Sequence, residues 1–162
     1  MSTDAATDVA TWLAVQNLQQ EIAAALDARE LQRWPGFFTV DAVYKLQSRE
    51  NFDAGLPLAT MWFESRGMLE DRVFGALQTI FHEPCFQRHI LGASRLLADD
   101  GDSIRCETSY LVVRTKRDAM PEILSVGRYL DRIVRTAEGL RIAERLAIFD
   151  NDLVPNAIID PV

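Results

Sequence analysis

Four long, closely spaced stretches in the C-terminal half of this chain alternate apolar and polar residues, and that period of two restricts the half to a sheet built from hairpins. Phe86–Ala98, Ser103–Arg117, Glu122–Thr136 and Leu140–Asp150 read as strands. Asp100-Gly101 and Glu138-Gly139 supply tight turns, and Asp118 to Pro121 a looser one. Connections this short make consecutive strands antiparallel neighbours. The expected product is a strongly curved meander with helices on its concave face.

The N-terminal half carries the helical period instead. Trp12, Val15, Leu18, Ile22, Ala25 and Leu26 fall on one stripe of a helix from Asp8 to Ala28. A shorter helical piece follows from Leu31 to Phe38, with Pro35 suited to its first turn and Trp34, Phe37 and Phe38 plugging one end of the core. Ala42 to Ser48 reads as a short strand, Asn51 to Pro57 as a loop and Thr60 to Phe63 as another short strand. Ser65 is placed to cap a helix through Gln78 that turns Met68, Leu69, Val73, Ala76 and Leu77 inward. Helices first and strands last give an α+β domain. With 162 residues and no repeat or linker, the expectation is one domain, 1–162, with residues 1–7 flexible and 151–162 a tail.

The formal net charge of -7 disfavours nucleic acid and anionic membrane surfaces as partners. No apolar stretch approaches the ~20 residues of a membrane span. The segment from Met1 to Asp8 has no basic run, and Cys85 and Cys106 read as reduced thiols, so a cytoplasmic protein is expected. Fifteen of the 17 basic residues are Arg, a bias that suits protein interfaces and that a GC-rich genome also produces. Two strands are apolar on both faces. Ile104, Cys106, Tyr110 and Val112 oppose Leu111 and Val113; Leu124, Val126, Leu130 and Val134 oppose Ile123, Tyr129 and Ile133. Helices cover only one face, so either another chain covers part of the second, or the long strands change environment along their length.

Groups for chemistry are scarce. His82 and His89 are the only histidines, no Cys-x-His occurs, and the two cysteines lie in different elements, so neither a Rieske cluster nor a two-His, one-carboxylate iron site is indicated. There is no Gly-x-Ser-x-Gly, no Cys-x-x-Cys and no glycine-rich phosphate loop. The best acid–base candidate is His89, early in a long strand, with Tyr44 and Asp71 as candidates to orient it inside the cone. The competing reading is a hydrogen-bonded structural histidine at a sheet edge or subunit contact.

Several stretches taken in order resemble the small (β) subunits of aromatic-ring hydroxylating oxygenases. They are Met68-Leu-Glu-Asp71-Arg72-Val73, Arg88-His89-Ile90-Leu91, Ser109-Tyr-Leu-Val-Val-Arg114, Gly127-Arg128-Tyr129-Leu130-Asp131, and Leu140-Arg-Ile-Ala-Glu-Arg145 ending in Ile148-Phe149-Asp150. The order and spacing hold from about Leu18 to Asp150, and no single motif is specific. Ala93 stands where the family often has Asn.

The resemblance implies a cystatin-like cone of the nuclear-transport-factor-2-like superfamily, a curved antiparallel sheet wrapped around N-terminal helices. It implies a mostly structural subunit without a cofactor of its own. Three copies would assemble as a trimer with three large (α) subunits, which carry the Rieske iron–sulfur cluster, the mononuclear iron and the substrate pocket. Trp34-Pro35-Gly36-Phe37-Phe38, Tyr44-Lys45 and His82-Glu-Pro look most like the salicylate 5-hydroxylase branch, whose members make gentisate. Expected subunit contacts are Arg88, Arg128 and Arg145, and a tail, Asn151 to Val162, that Leu153, Val154, Ile158 and Ile159 make too apolar to stand free in solvent. The alternative function is a stand-alone isomerase, dehydratase or cyclase on the same cone, with His89 as base and Tyr44 and Asp71 in support.

Overall fold

The computed structural model describes residues 2–79, 83–151 and 158–162, with side chains from Val9 onward. Helix α1 spans Ser2–Asp27 and buries Val15, Leu18, Ile22, Ala25 and Leu26 along the expected stripe. It begins at Ser2, so the backbone of the segment expected to be flexible is helical. Trp12, on the same stripe, is 39% exposed, and its indole N–H donates to the Ser94 carbonyl at 2.8 Å. A 3-10 helix, Leu31–Phe37, buries Leu31, Trp34 and Pro35.

Strand β1, Phe38–Ser48, starts four residues before the expected Ala42. Helix α2, Arg49–Asp53, occupies the start of the expected loop because the Ser48 hydroxyl accepts from the Asn51 N–H at 3.2 Å and caps it. Strand β2 is Met61–Phe63. Helix α3, Arg66–Gln78, has Ser65 as its cap, accepting from Met68 N–H at 3.2 Å. Leu69, Val73 and Ala76 are buried as expected. Met68 instead points outward, its sulfur accepting from the Glu64 N–H at 3.3 Å.

The remaining strands are β3 (Cys85–Leu91), β4 (Arg95–Asp99), β5 (Ser103–Lys116), β6 (Glu122–Thr136) and β7 (Gly139–Phe149). They form one curved sheet ordered β2-β1-β7-β6-β5-β3, with β4 continuing along β5 beyond β3. The hairpins are antiparallel as expected, but β1 lies parallel to β7, so the sheet is mixed. Its concave face receives α1, whose Gln19 reaches Asp131 on β6 and Arg145 on β7. This is the cystatin-like cone.

Bulges explain the other departures. Leu91 pairs with Tyr110 and Arg95 with Glu107, which leaves three residues opposite two and splits the single strand expected over 86–98. Val112 pairs with Ser125 and Val113 with Ile123, so Leu124 is the extra residue. The alternation of β6 therefore changes phase there. Leu124 turns inward beside Tyr129 and Ile133, and Ile123 is left 61% exposed, the reverse of the faces expected for both.

Gly127 on β6 stands directly across from Phe149 on β7. A Cβ at that position would lie 1.9 Å from the Ile148 carbonyl oxygen and 2.9 Å from the Phe149 Cα. Backbone cannot yield as a side chain can, so Gly127→Ala is expected to lower the unfolding free energy by about 3 kcal/mol or more, read from urea denaturation followed by circular dichroism.

Candidate functional site

The interior of the cone is built around a charge. Asp131 and Arg145 are direct cross-strand partners on β6 and β7, and both face inward. Arg145 donates from Nε to Asp131 Oδ1 at 2.9 Å and from Nη2 to Oδ2 at 2.8 Å, a bidentate pair. Gln19 closes the triangle, donating to Asp131 Oδ2 at 2.6 Å and accepting from Arg145 Nη2. The guanidinium also lies 4.2 Å from the centre of the Tyr129 ring, which stacks on Tyr110 at 4.4 Å. Burial opposes the charge on Arg145, but the Asp131 carboxylate outweighs it, so the net shift of its pKa is upward. Burial pushes the Tyr129 hydroxyl well up as well.

Arg145 was expected at a subunit contact. Its side chain is 2% exposed and held wholly within the chain, so it offers no surface to a partner. Sequence reasoning also passed over Gln19, Asp131 and Asp27. Gln19 stands on the apolar stripe of α1, between Leu18 and Ile22, and a polar residue on such a stripe signals a buried partner.

His89 is buried on β3, and its partner is Asp27 at the end of α1. Asp27 Oδ1 lies 2.6 Å from His89 Nδ1, and the carboxylate also accepts the His89 backbone N–H at 3.0 and 3.2 Å. With Nδ1 directed at the carboxylate, Nε2 is left buried and without a hydrogen bond. The two residues expected to support His89 lie elsewhere. Asp71 is exposed on α3. Tyr44 is fully buried and exchanges hydrogen bonds with Val162, donating to its carbonyl at 3.1 Å and accepting from its N–H at 3.4 Å. Burial pushes the Tyr44 hydroxyl up to about 12.

The end of the chain docks on its own cone. Arg72 Nη2 donates to the carbonyls of Ile158 and Ile159 at 2.9 and 2.6 Å, and Arg29 pairs with Asp160 at 2.8 Å. Ile158 and Val162 join the core and Ile159 packs against it, so the described part of the apolar tail expected at a subunit contact is covered by its own chain. Leu153 and His82 lie outside the described residues. Arg88 is exposed, 3.4 Å from Asp27, and Arg128 is half-buried, 3.9 Å from Glu107.

Among the described residues, no three His, Cys, Asp or Glu side chains converge as metal ligands. Cys85 and Cys106 sit on different strands, and His89 is directed at Asp27, so this donor set does not fit an iron–sulfur cluster or a mononuclear iron. Among the described residues, no helix is long and apolar enough to cross a membrane.

Residues 21–156 match the family model described as the ring hydroxylating beta subunit. The chain belongs to that family. Among curated relatives, it is 32% identical to the anthranilate 1,2-dioxygenase small subunit of Burkholderia cepacia, over 96% of each protein. It is 29% identical to a β subunit of the terephthalate 1,2-dioxygenase terminal oxygenase component of a Comamonas species, over 86% of this chain and 91% of the relative. A crystal structure from Novosphingobium aromaticivorans, of a β subunit assigned to an aromatic-ring-hydroxylating dioxygenase, superposes with a TM-score of 0.89 at 30% identity. The superposition covers 96% of this chain and 99% of that one. This β subunit thus has the cone expected of it, with a buried triad of Arg145, Asp131 and Gln19 bonded within the chain.

Two expectations follow for the β subunit. Asp131→Ala leaves Arg145 charged, buried and unpaired, and is expected to cost about 3–5 kcal/mol in urea denaturation, whereas the double change Asp131→Leu with Arg145→Met recovers most of that loss. The second concerns alkali. Burial, then the Asp131 charge, pushes the Cys106 thiol up to about 12 from its ordinary 9.0. The unfolded chain ionises at ordinary values while the folded chain keeps its protons, so stability is fully present below about pH 9 and is lost as pH rises toward about 12. Urea midpoints measured across that range should fall; Cys106→Ala should remove the part of the fall that starts near pH 9, and Tyr44→Phe only a share of the part that starts near pH 10, since burial also raises the hydroxyls of Tyr110 and Tyr129.

Proposed function

We propose that this β subunit is a non-catalytic structural component of a multicomponent oxygenase that hydroxylates aromatic carboxylates, and that it works by offering surface to companion chains. The observation that carries the reading is how the two faces of the sheet divide. Inside, Arg145, Asp131, Gln19 and Tyr44 are bonded to one another or to the chain's own end. Outside, Phe86 and Ile90 on β3 and Ile123 on β6, the strands on either side of β5, are 81%, 53% and 61% exposed, with Arg88 among them. Large apolar side chains beside an exposed Arg are the composition of a protein interface.

In this reading the partner is a large (α) subunit carrying the Rieske cluster and the mononuclear iron, in a hexamer of three large and three small subunits in the cytoplasm. The named relatives act on anthranilate and terephthalate, both aromatic carboxylates. Salicylate is another, and 5-hydroxylation of salicylate is the specific activity proposed for the assembled enzyme.

One observation favours a second reading, a stand-alone isomerase, dehydratase or cyclase. His89 is held by Asp27 as a general base would be, with Nε2 uncommitted.

Co-expression with a Rieske-type large subunit distinguishes the two. The structural reading expects a stable complex, lost when Phe86, Ile90 and Ile123 are changed to Glu, with the stability of the isolated chain altered by no more than about 0.5 kcal/mol per site. It is refuted if no such subunit associates, or if the isolated chain turns over substrate in a His89-dependent way.

A further inference from the structure

The segment Ile158–Val162 lies on a cluster of donors that it satisfies incompletely. Arg72 gives Nη2 to two backbone carbonyls, but its Nε is buried with no acceptor. Trp34, fully buried with its ring 5.3 Å from that of Tyr44, has an indole N–H with no acceptor either. On the segment itself, Asp160 Oδ1 is buried without a donor although Oδ2 meets Arg29. Native interiors leave few such groups, because each has given up its hydrogen bonds to water without replacement. Arg72 and Asp160 meet at the seam between the segment and the cone, and Trp34 lies beside Tyr44, the residue that Val162 bonds.

The surroundings restrict what fits there better. Tyr44 is enclosed by aromatic rings, with Trp34 and Phe38 edge-on and Phe63 stacked at 6.0 Å. The polar groups aimed at the segment are two guanidiniums and a phenol. Aromatic walls with cationic and neutral donors and few free acceptors suit a flat ring bearing a carboxylate. A carboxylate brings two oxygens that accept from several donors at once, where a backbone carbonyl brings one.

We infer that Ile158–Val162 is a strap over a binding site for a small aromatic carboxylate, formed by Arg72, Tyr44 and Trp34, and that the ligand and the strap compete for it. The site belongs to this chain alone, so it is independent of whether the chain serves a large subunit. Strap and ligand are alternatives, so whatever weakens one favours the other.

The test uses the full-length chain with benzoate as probe and acetate as control, binding being read from Trp34 fluorescence in a variant in which Trp12 and Trp62, both partly exposed, are changed to Phe. Asp160→Ala with Val162→Ala removes an ion pair and a buried side chain from the strap without altering the three site residues. Benzoate is expected to bind that variant at least ten-fold more tightly than the parent, and adding Arg72→Met is expected to abolish the gain. The inference is overturned if the loosened chain binds benzoate no better, if the gain survives Arg72→Met, or if acetate binds as tightly as benzoate. Should the loosened chain fail to fold, the unmodified protein decides: saturating benzoate is expected to speed amide hydrogen exchange at Val162 several-fold, and unchanged exchange overturns the inference.

Discussion

A buried Arg145 guanidinium is the constraint around which the rest of the cone is arranged. A charge in that position is tolerable only with full compensation. Asp131 must therefore stand opposite it across the β6–β7 ladder, and Gln19 must arrive from α1 to take the remaining bonds. That fixes the register of two strands and the rotation of the long helix against them in one stroke. A one-residue slip of β7 would turn the guanidinium outward and leave Asp131 facing an apolar interior alone. Apolar packing supplies most of the stability, while the triad makes one arrangement far better than its neighbours.

Much of this was legible in the chain. The stripe of α1, the Ser65 cap and the three hairpins follow from periods and turn residues that act locally. What was not legible depends on contacts distant in sequence. The parallel placement of β1 beside β7 leaves no local mark, since a strand's alternation is the same in either direction. The bulge at Leu124 reverses the faces of β6, and only the partner strand reveals an unpaired residue. Arg145 looks like any surface arginine until Asp131 is seen opposite it. His89 was found, but its carboxylate was sought at Asp71 because Asp27 reads as an unremarkable residue near a helix end.

The pairing of Asp27 with His89 has a structural side as well. β3 is an edge strand, and the His89 N–H it would otherwise present to any passing strand is held by the Asp27 carboxylate. The helix thereby closes the edge at that residue, while the flat face beside it stays open. Such a division disfavours strand addition at that residue and leaves side chains on the sheet surface as the material for packing.

The parallel seating of β1 against β7 also imposes an order in time. A ribosome delivers β1 early and β7 after the other six strands, so the place between β1 and β6 has no occupant until β7 has been made. Throughout that interval the nascent helices have no finished concave face to settle on. Long-range closure of this kind is slow, and it exposes apolar surface meanwhile. The final strand therefore acts as a keystone, and the cone closes only once that strand has been made.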